Sequence, residues 1–159
     1  MARFHKLVPT VPYPTAQTVY LGADANNKFT PADVNKFVKL VGDSRYDLCA
    51  AGDDIQRQVV SVEQAPDNGS TIGGVAVHQT GQMMFVTADG LQATPGTGAI
   101  AVGDIVVCGT VVARNTALSG WPKVCKATTP ANVVHKWRVV ALSDANSGAV
   151  GQRLTIERF

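Results

Sequence analysis

Histidine and cysteine are the side chains of this chain most able to bind a metal ion or act as nucleophiles. Its three histidines, His5, His78 and His135, are far apart, and none has a metal-ligand partner two to four residues away. Metal sites usually show such close spacings. The sequence therefore predicts no metal ion and no cofactor, and leaves open a site that is assembled only in the folded chain.

The three cysteines predict no catalysis. Cys49 and Cys108 lie in apolar runs, where cysteine is usually a small buried hydrophobe. Cys125, with Lys123 and Lys126 nearby, is the thiol whose neighbours could lower its pKa, but no catalytic motif accompanies it. An odd count without C-x-x-C spacing predicts free, reduced thiols in a protein made in the cytosol. We predict no catalytic residues and no enzymatic activity.

Two further patterns resemble ligand motifs without their context. Asp43, Asp47, Asp53 and Asp54 are close together, but their spacing does not match a calcium-binding loop, and aspartates of this kind are common in turns. The run at 96–101, GTGAIA, matches a dinucleotide fingerprint in form only. A Pro-Gly loop precedes it and a strand pattern follows it, whereas that fingerprint requires a strand before and a helix after.

Basic and aromatic residues are interleaved near residues 121–138, which raises two binding functions. Aromatic rings beside cations can stack on nucleic-acid bases, and exposed tryptophans can stack on sugars. The formal net charge is only +2, so no strong field would attract a polyanion, and we predict no nucleic-acid partner. A carbohydrate-binding β module stays an alternative. The residues concerned are Trp121, Lys123, Lys126, His135, Lys136, Trp137 and Arg138.

The elements that would position these residues are β-strands. Short runs of β-branched and alternating residues recur between turn signals every ~8 to 12 residues, with little helical periodicity. This pattern predicts an all-β fold, a small β-barrel or a two-sheet sandwich. The runs include FVKLVG at 37–42, RYDLCAA at 45–51, a hairpin of two strands around Thr80-Gly81 within 75–88, GDIVVCGTVVARN at 103–115, and a closing hairpin formed by 136–143 and 150–159.

A loose internal echo marks two corners of the predicted fold. AAGDDIQRQVVSV at 50–62 is echoed by AVGDIVVCGTVVA at 101–113, and each copy places a Gly-Asp pair before β-branched residues. Glycine adopts the backbone angles of a tight corner, and aspartate can accept hydrogen bonds from nearby backbone. We predict that Gly52, Asp53, Gly103 and Asp104 are structural corners without chemistry. One interpretation of the echo is an internally duplicated barrel.

The chain divides into an arm and a domain. Residues 1–29 contain closely spaced prolines and apolar anchors, which predicts an extended N-terminal arm that lies on its own domain or on a neighbouring subunit. Residues 30–159 form the predicted β domain, opened by one helical turn at 31–36. The prolines leave no apolar signal-peptide core, and no run reaches the ~20 apolar residues of a membrane-spanning helix, so we expect no membrane partner.

Charged residues make up only 16% of the chain, below the ~25% of ordinary soluble domains. Uncharged polar residues replace them, and such a surface is easily desolvated against another protein. The composition is therefore compatible with an assembly role as well as with a neutral monomer.

The order of these patterns resembles the capsid decoration, or cement, proteins of tailed bacteriophages. The resemblance lies in KFVKLVGDSRYDLCAAGDDIQRQVVSVE, then GGVAV, then AVGDIVVCGTVV and a closing WRVVALS…GAVGQRLTIE hairpin, and covers roughly residues 28–159. It implies a small β-barrel protein that binds the outside of the expanded capsid shell, usually as a trimer, and bridges neighbouring major capsid subunits. It carries over no catalytic residues, and the Pro-rich N-terminus is longer than the family pattern.

On this basis we expect a virion protein on the outer capsid surface, synthesised in the host cytoplasm, which stabilises the mature head. Its expected partners are the major capsid protein and two further copies of itself in a homotrimer. The alternative is a carbohydrate- or receptor-binding module on a virion. The residues predicted to contact the capsid or neighbouring protomers are Val8, Pro9, Val11, Tyr13 and Tyr20.

Overall fold

The computed structural model describes residues 15–64, 71–143 and 147–159. Within these ranges the regular structure is β-strand apart from two 3₁₀ turns, which confirms the predicted all-β class. No helix in the described ranges has the length and apolar character needed to cross a membrane. The strands are β1 (Thr15–Leu21), β2 (Phe37–Gly42), β3 (Arg45–Leu48), β4 (Arg57–Gln64), β5 (Thr71–Val77), β6 (Met83–Leu91), β7 (Thr94–Pro95), β8 (Ile105–Cys108), β9 (Lys123–Lys126), β10 (Trp137–Leu142) and β11 (Arg153–Arg158), and the 3₁₀ turns are Pro31–Asp33 and Pro130–Asn132.

The strands close into two five-stranded barrels. Barrel 1 has the order β1-β3-β2-β4-β5 and closes through the antiparallel pairing of β1 with β5. Barrel 2 has the order β6-β9-β8-β10-β11 and closes through the pairing of β11 with β6, while β7 extends β6 at its end. Closure leaves few free sheet edges. The prediction of a barrel is confirmed, but the chain forms two barrels where we expected one barrel or sandwich.

Buried and exposed side chains alternate along strands of both barrels, as closed barrels require. In β1, Val19 and Leu21 are buried while Thr18 and Tyr20 face solvent, and in β11 Leu154 and Ile156 are buried between less buried neighbours. Because successive side chains of a strand point to opposite faces, each strand supplies one row to a barrel interior. The core of barrel 1 consists of Val19, Leu21, Phe29, Val38, Tyr46, Val59 and Val75.

The two barrels repeat one topology. Barrel 2 repeats the strand order and pairing of barrel 1, with β6, β8, β9, β10 and β11 in the places of β1, β2, β3, β4 and β5. Each barrel has one parallel pair, β1 with β3 and β6 with β9. The register shift between Val59 and Ser61 in barrel 1 recurs between Val139 and Ala141 in barrel 2. The chain is therefore an internally repeated pair of barrels.

Barrel 1 contributes residues to the core of barrel 2, and this second cluster is a shared core. Phe37, Cys49 and Ile55 belong by sequence to barrel 1 but pack with the interior residues of barrel 2. The Trp137 indole, which is fully buried in barrel 2, donates from Nε1 to the Ile55 carbonyl at 3.0 Å. Separating the barrels would expose these side chains to water, so the two barrels stabilise each other.

A four-residue corner recurs at the strand starts. Its third residue is a glycine with φ between 86° and 92°, and the side chain of its fourth residue accepts a hydrogen bond from the first residue's N–H at 2.6–3.1 Å. A positive φ is strained for residues with a Cβ, which explains the glycine. The corners lie at 50–53, 79–82, 101–104 and 149–152. The sequence prediction had identified the first and third and missed the two with glutamine in the last position.

The sequence echo does not follow the repeat of the barrels. Gly103 and Asp104 form a backbone bridge to Val139 of β10, and the equivalent bridge to Val59 in barrel 1 is made by Asn35 and Lys36. Asn35 takes the left-handed conformation, with φ 72°, in place of glycine. The Gly52 corner instead precedes β4. The two copies of the echo therefore form the same type of corner, but the corners lie at different points of the barrel topology.

The predicted boundary between arm and domain needs correction. Thr15–Leu21 forms a barrel strand and Phe29 is a core residue, so the domain begins before the predicted boundary at residue 30. Of the apolar residues predicted to anchor an arm, Tyr20 lies in β1 and faces solvent, whereas the interior residues of β1 are Val19 and Leu21. Of the predicted arm, residues 1–14 lie outside the described ranges.

The predicted hairpin around Thr80-Gly81 is wrong. The turn is present, but β5 pairs within barrel 1 and β6 within barrel 2, so the turn joins the two barrels. His78, just before the turn, packs edge-on against Trp137 at 5.0 Å between ring centroids. The predicted strand at 103–115 is also shorter, because its regular part ends at Cys108.

Candidate functional site

Of the predicted contact residues, Tyr20 is the one in the described ranges. It lies in β1 with 37% of its surface exposed, and the Arg45 guanidinium lies over its ring at 5.2 Å. Such a contact holds the ring in place while leaving one side to solvent. Val8, Pro9, Val11 and Tyr13 lie outside the described residues.

The predicted corner residues lie in turns stabilised by ion pairs. Asp53 accepts from the Ala50 N–H at 2.6 Å and pairs with the Lys39 ammonium at 2.6 Å. The hydrogen bond to Asp53 is the main cause that raises the pKa of Lys39. Asp104 accepts from the Ala101 N–H at 2.8 Å, and its other oxygen lies 2.9 Å from the Lys126 ammonium. These carboxylates stabilise the turns, and they already bind a backbone N–H and a lysine ammonium of the same chain.

Exposed apolar side chains lie at the end of barrel 1 that is remote from barrel 2. Leu40 and Val41, at the end of β2, are 52% and 45% exposed. Arg45 connects them to Tyr20, because it pairs with Gly42 on one side and with Tyr20 on the other. We call Tyr20, Leu40 and Val41 the distal patch.

A second exposed surface lies on barrel 2. Phe85 of β6 and Trp121 are 41% and 48% exposed, and their rings lie 5.5 Å apart at a 56° tilt. The Arg153 guanidinium lies over Phe85 at 5.0 Å, and Arg138 likewise covers Phe159 at 4.8 Å. Strand register places Arg138, Arg153 and Phe85 on neighbouring strands, and the ring contacts place Trp121 and Phe159 beside them. We call Phe85, Trp121, Arg138, Arg153 and Phe159 the aromatic face.

Sequence reasoning identified Trp121 but missed Phe85 and Arg153. The signal was present in β6, where Phe85 alternates with the inward residues Met84 and Val86. Because the outward positions of β6 are themselves partly apolar, the alternation is weak, and only the barrel shows which side faces solvent. Trp137, the other tryptophan of the basic and aromatic run, is fully buried and takes no part in the surface.

The cysteine that the sequence analysis weighed as a nucleophile is buried beside a carboxylate. The Cys125 Sγ lies 3.8 Å from Asp89 Oδ2, and both residues are almost inaccessible to solvent. Burial, followed by the charge of Asp89, raises the pKa of Cys125 to about 11. Such a thiol is protonated near neutral pH, the opposite of an activated nucleophile. A hydrogen bond with Cys49 and burial likewise raise the pKa of Cys108.

A polar cleft lies where the barrels meet. It has a volume of about 220 Å³, and its wall contains hydroxyl, amide and carboxylate groups. Asp54 in this wall accepts from the N–H groups of Val134 and His135 at 2.8 and 3.2 Å. The His135 Nδ1 lies 3.8 Å from the same carboxylate, and burial lowers the pKa of His135. The remaining lining residues are Gly52, Gln92, Val107, Thr128, Thr129, Asn132 and Val133.

Within the described ranges, no three histidine, cysteine, aspartate or glutamate side chains lie close enough together to hold a metal ion. Comparison of the chain with protein-family models, curated proteins and solved structures finds no match. In the described part of the chain, the candidate sites are the distal patch, the aromatic face and the polar cleft.

Proposed function

We propose that this protein is a capsid decoration protein of a tailed bacteriophage, which binds the outer surface of the assembled head and bridges neighbouring major capsid subunits. The observation that carries the proposal is the exposure of large apolar side chains on both barrels of one body. The distal patch and the aromatic face belong to different barrels, and the shared core joins these barrels. Two binding surfaces on one body can hold two neighbouring subunits together.

The surfaces have the composition of protein contact sites. Tyr, Trp and Arg are the residues most enriched among those that dominate binding energy, and both surfaces contain an aromatic ring covered by an arginine. Such rings supply contact area at low conformational-entropy cost. A ligand that binds only the assembled shell stabilises it by mass action, and two linked contacts add avidity.

The proposal includes the N-terminal segment and a homotrimer. Val8, Pro9, Val11 and Tyr13 are proposed to contact the capsid or a neighbouring protomer, with Tyr20 at the barrel surface. Because β1 begins at Thr15, a truncation that tests this contact should remove residues 1–14 and leave the barrel strand intact. Removal of residues 1–20 would delete most of β1 and would confuse loss of binding with loss of fold.

Binding of surface variants to purified expanded heads of the cognate phage tests the proposal. Trp121→Ala and the double change Leu40→Ser with Val41→Thr should each weaken binding at least about tenfold, as expected for buried contacts worth more than about 1.4 kcal/mol. The matched control is Val134→Ser, since Val134 is 77% exposed but outside both surfaces. Unchanged binding of both surface variants would contradict bridging through these surfaces.

A carbohydrate- or receptor-binding module is the second candidate, and the polar cleft favours it. Threonine hydroxyls, Gln92, Asn132 and Asp54 could together bind a polyhydroxylated ligand. Trp121 lies outside this cleft, on the aromatic face, where its exposed ring could stack on a sugar. A glycan array distinguishes the two functions. Saturable binding of one glycan that is lost in Asn132→Ala would favour this candidate over capsid decoration.

A further inference from the structure

The aromatic face is an unpartnered surface with a definite shape. The rings of Phe85 and Trp121 are tilted by 56° against each other, and Arg153 covers only Phe85. Neither ring belongs to the core of barrel 2. Neighbouring, tilted aromatic rings are the kind of surface on which proline-rich, polyproline II segments dock.

The chain carries a segment of that chemistry among its first residues. Residues 8–14 read VPTVPYP and contain a Pro-x-x-Pro spacing at Pro9 and Pro12. Prolines preset the polyproline II conformation, so such a segment loses little entropy on docking. Apolar residues at positions 4, 7, 8 and 11 add surface that an aromatic face could bury.

The point where the described chain begins favours the same molecule as the partner. Thr15 pairs with Val77 at the end of β5, and the two strands are antiparallel, so the chain enters barrel 1 at that end of β5. The end of β5 faces barrel 2, because the next residue, His78, packs on Trp137. β6 starts at Met83, only a few residues further along the chain.

The length of the segment is sufficient. Polyproline II rises about 3.1 Å per residue, so Pro12 and Pro9, three and six residues before Thr15, can reach about 9 and 19 Å from it. Phe85 is the third residue of β6 and lies about 7 Å from the start of that strand. A stretch of this reach can pass the junction and contact Phe85.

We propose that residues 1–14 dock on the aromatic face of barrel 2 in the same chain, with the stretch from Pro9 to Pro12 against Phe85 and Trp121. This inference does not depend on capsid binding. It goes beyond the proposed function, because it gives the capsid-contacting segment a docking site in the free protein.

Tryptophan fluorescence of the isolated protein tests the proposal. Trp137 is fully buried, so quenching by acrylamide reports on Trp121. Deletion of residues 1–14 should raise the quenching constant at least about twofold without changing the melting temperature. A synthetic peptide of residues 1–14 added to the truncated protein should restore protection with saturation, and a peptide with Pro9→Ala and Pro12→Ala should not.

The controls keep the result decisive. Should the truncated protein fail to fold, the full-length Pro9→Ser, Pro12→Ser variant takes its place, with the same expected rise in quenching. Unchanged quenching in the folded variant would overturn the proposal. Protection that appears only at concentrations where the protein sediments as an oligomer would also overturn it, since the partner would then be a second copy. Because no phage heads are present, failure here leaves the proposed function to its own test.

Discussion

The packing and the pKa of His78 depend on residues of both barrels. Its ring lies at the junction, packed on Trp137, and Arg57 and Arg158 lie close enough to act on its charge. Burial, and then the positive charge of Arg57, lowers the pKa of His78 to about 4, despite an opposing hydrogen bond with Gln82. Between about pH 4 and pH 6.5 the histidine is therefore neutral in the folded protein, whereas it carries a proton in the unfolded chain.

This lowered pKa predicts a pH dependence of stability. Between the ordinary value of 6.5 and the folded value of about 4, the unfolded state binds the proton and the folded state does not. The contribution of His78 is thus complete above pH 6.5 and is lost as the pH falls, by up to about 3 kcal/mol. Urea unfolding of the native protein and of His78→Gln at several pH values measures it.

The comparison between the two proteins isolates His78 from other acid-sensitive groups. The pKa of His135 is also lowered, so both proteins should lose some stability in this range. The difference in unfolding free energy between native protein and variant should shrink or reverse between pH 7 and pH 4.5. A difference that is independent of pH would contradict the assignment.

At the scale of elements, the glycine corners make a separate prediction. Gly103 has φ 92° and no atom within 4 Å of an added Cβ, so Gly103→Ala changes only backbone strain. We expect a loss of about 1 to 2 kcal/mol in unfolding free energy. Gly42→Ala is the matched control, since Gly42 has ordinary backbone angles and its nearest atom lies at 3.9 Å.

Chemical denaturation of both variants distinguishes backbone strain at Gly103 from the general effect of adding a methyl group. Gly42→Ala should stay within about 0.5 kcal/mol of the native protein. Equal effects of the two substitutions would mean that the positive φ of Gly103 is not what fixes glycine at this corner.

The elements also show what the sequence could predict. The corners at Gly52 and Gly103 and the closing hairpin of β10 and β11 follow from local turn chemistry and alternation, and both are readable in the sequence. The partner of a strand after a turn is not local information. The turn at 79–82 looks like a hairpin turn, yet the pairing of β6 with β11 separates it from β5.

The end of β8 has a similar nonlocal cause. The strand pattern continues through Val111 and Val112, but a Cβ at Gly109 would lie 3.0 Å from Asp89 and from the Lys123 backbone, so the chain passes close to β6 and β9 there. Val111 then packs against the core of barrel 2 from outside a strand. The candidate surfaces cannot be predicted from the sequence for the same reason. Phe85 is exposed because barrel 2 closes with that side chain outside, and closure depends on distant strands.

At the scale of the whole molecule, the shared core predicts that the barrels fold together. A fragment of residues 15–79 would keep all strands of barrel 1 but would expose Phe37 and Ile55, each worth about 1.5 to 3 kcal/mol when buried. We expect this fragment to lack a cooperative thermal transition, whereas the full chain should unfold in one. Circular dichroism during heating measures both, and a sharp transition in the fragment would show that barrel 1 is independent.

One body with apolar surfaces on both barrels is the basis of the proposed capsid function. Such a body gains most when both surfaces find partners at a fixed separation, which only one state of a shell provides. The two surfaces cannot adjust their separation freely, because Phe37, Cys49 and Ile55 fix barrel 1 against barrel 2. The account therefore requires the protein to distinguish assembled, expanded heads from unexpanded ones.

Cosedimentation of the purified protein with expanded and unexpanded heads of the cognate phage tests this requirement most directly. The account predicts saturable binding to expanded heads at micromolar protein concentration, in a fixed ratio to the major capsid protein, and little binding to unexpanded heads. Absence of binding to expanded heads at that concentration would contradict it.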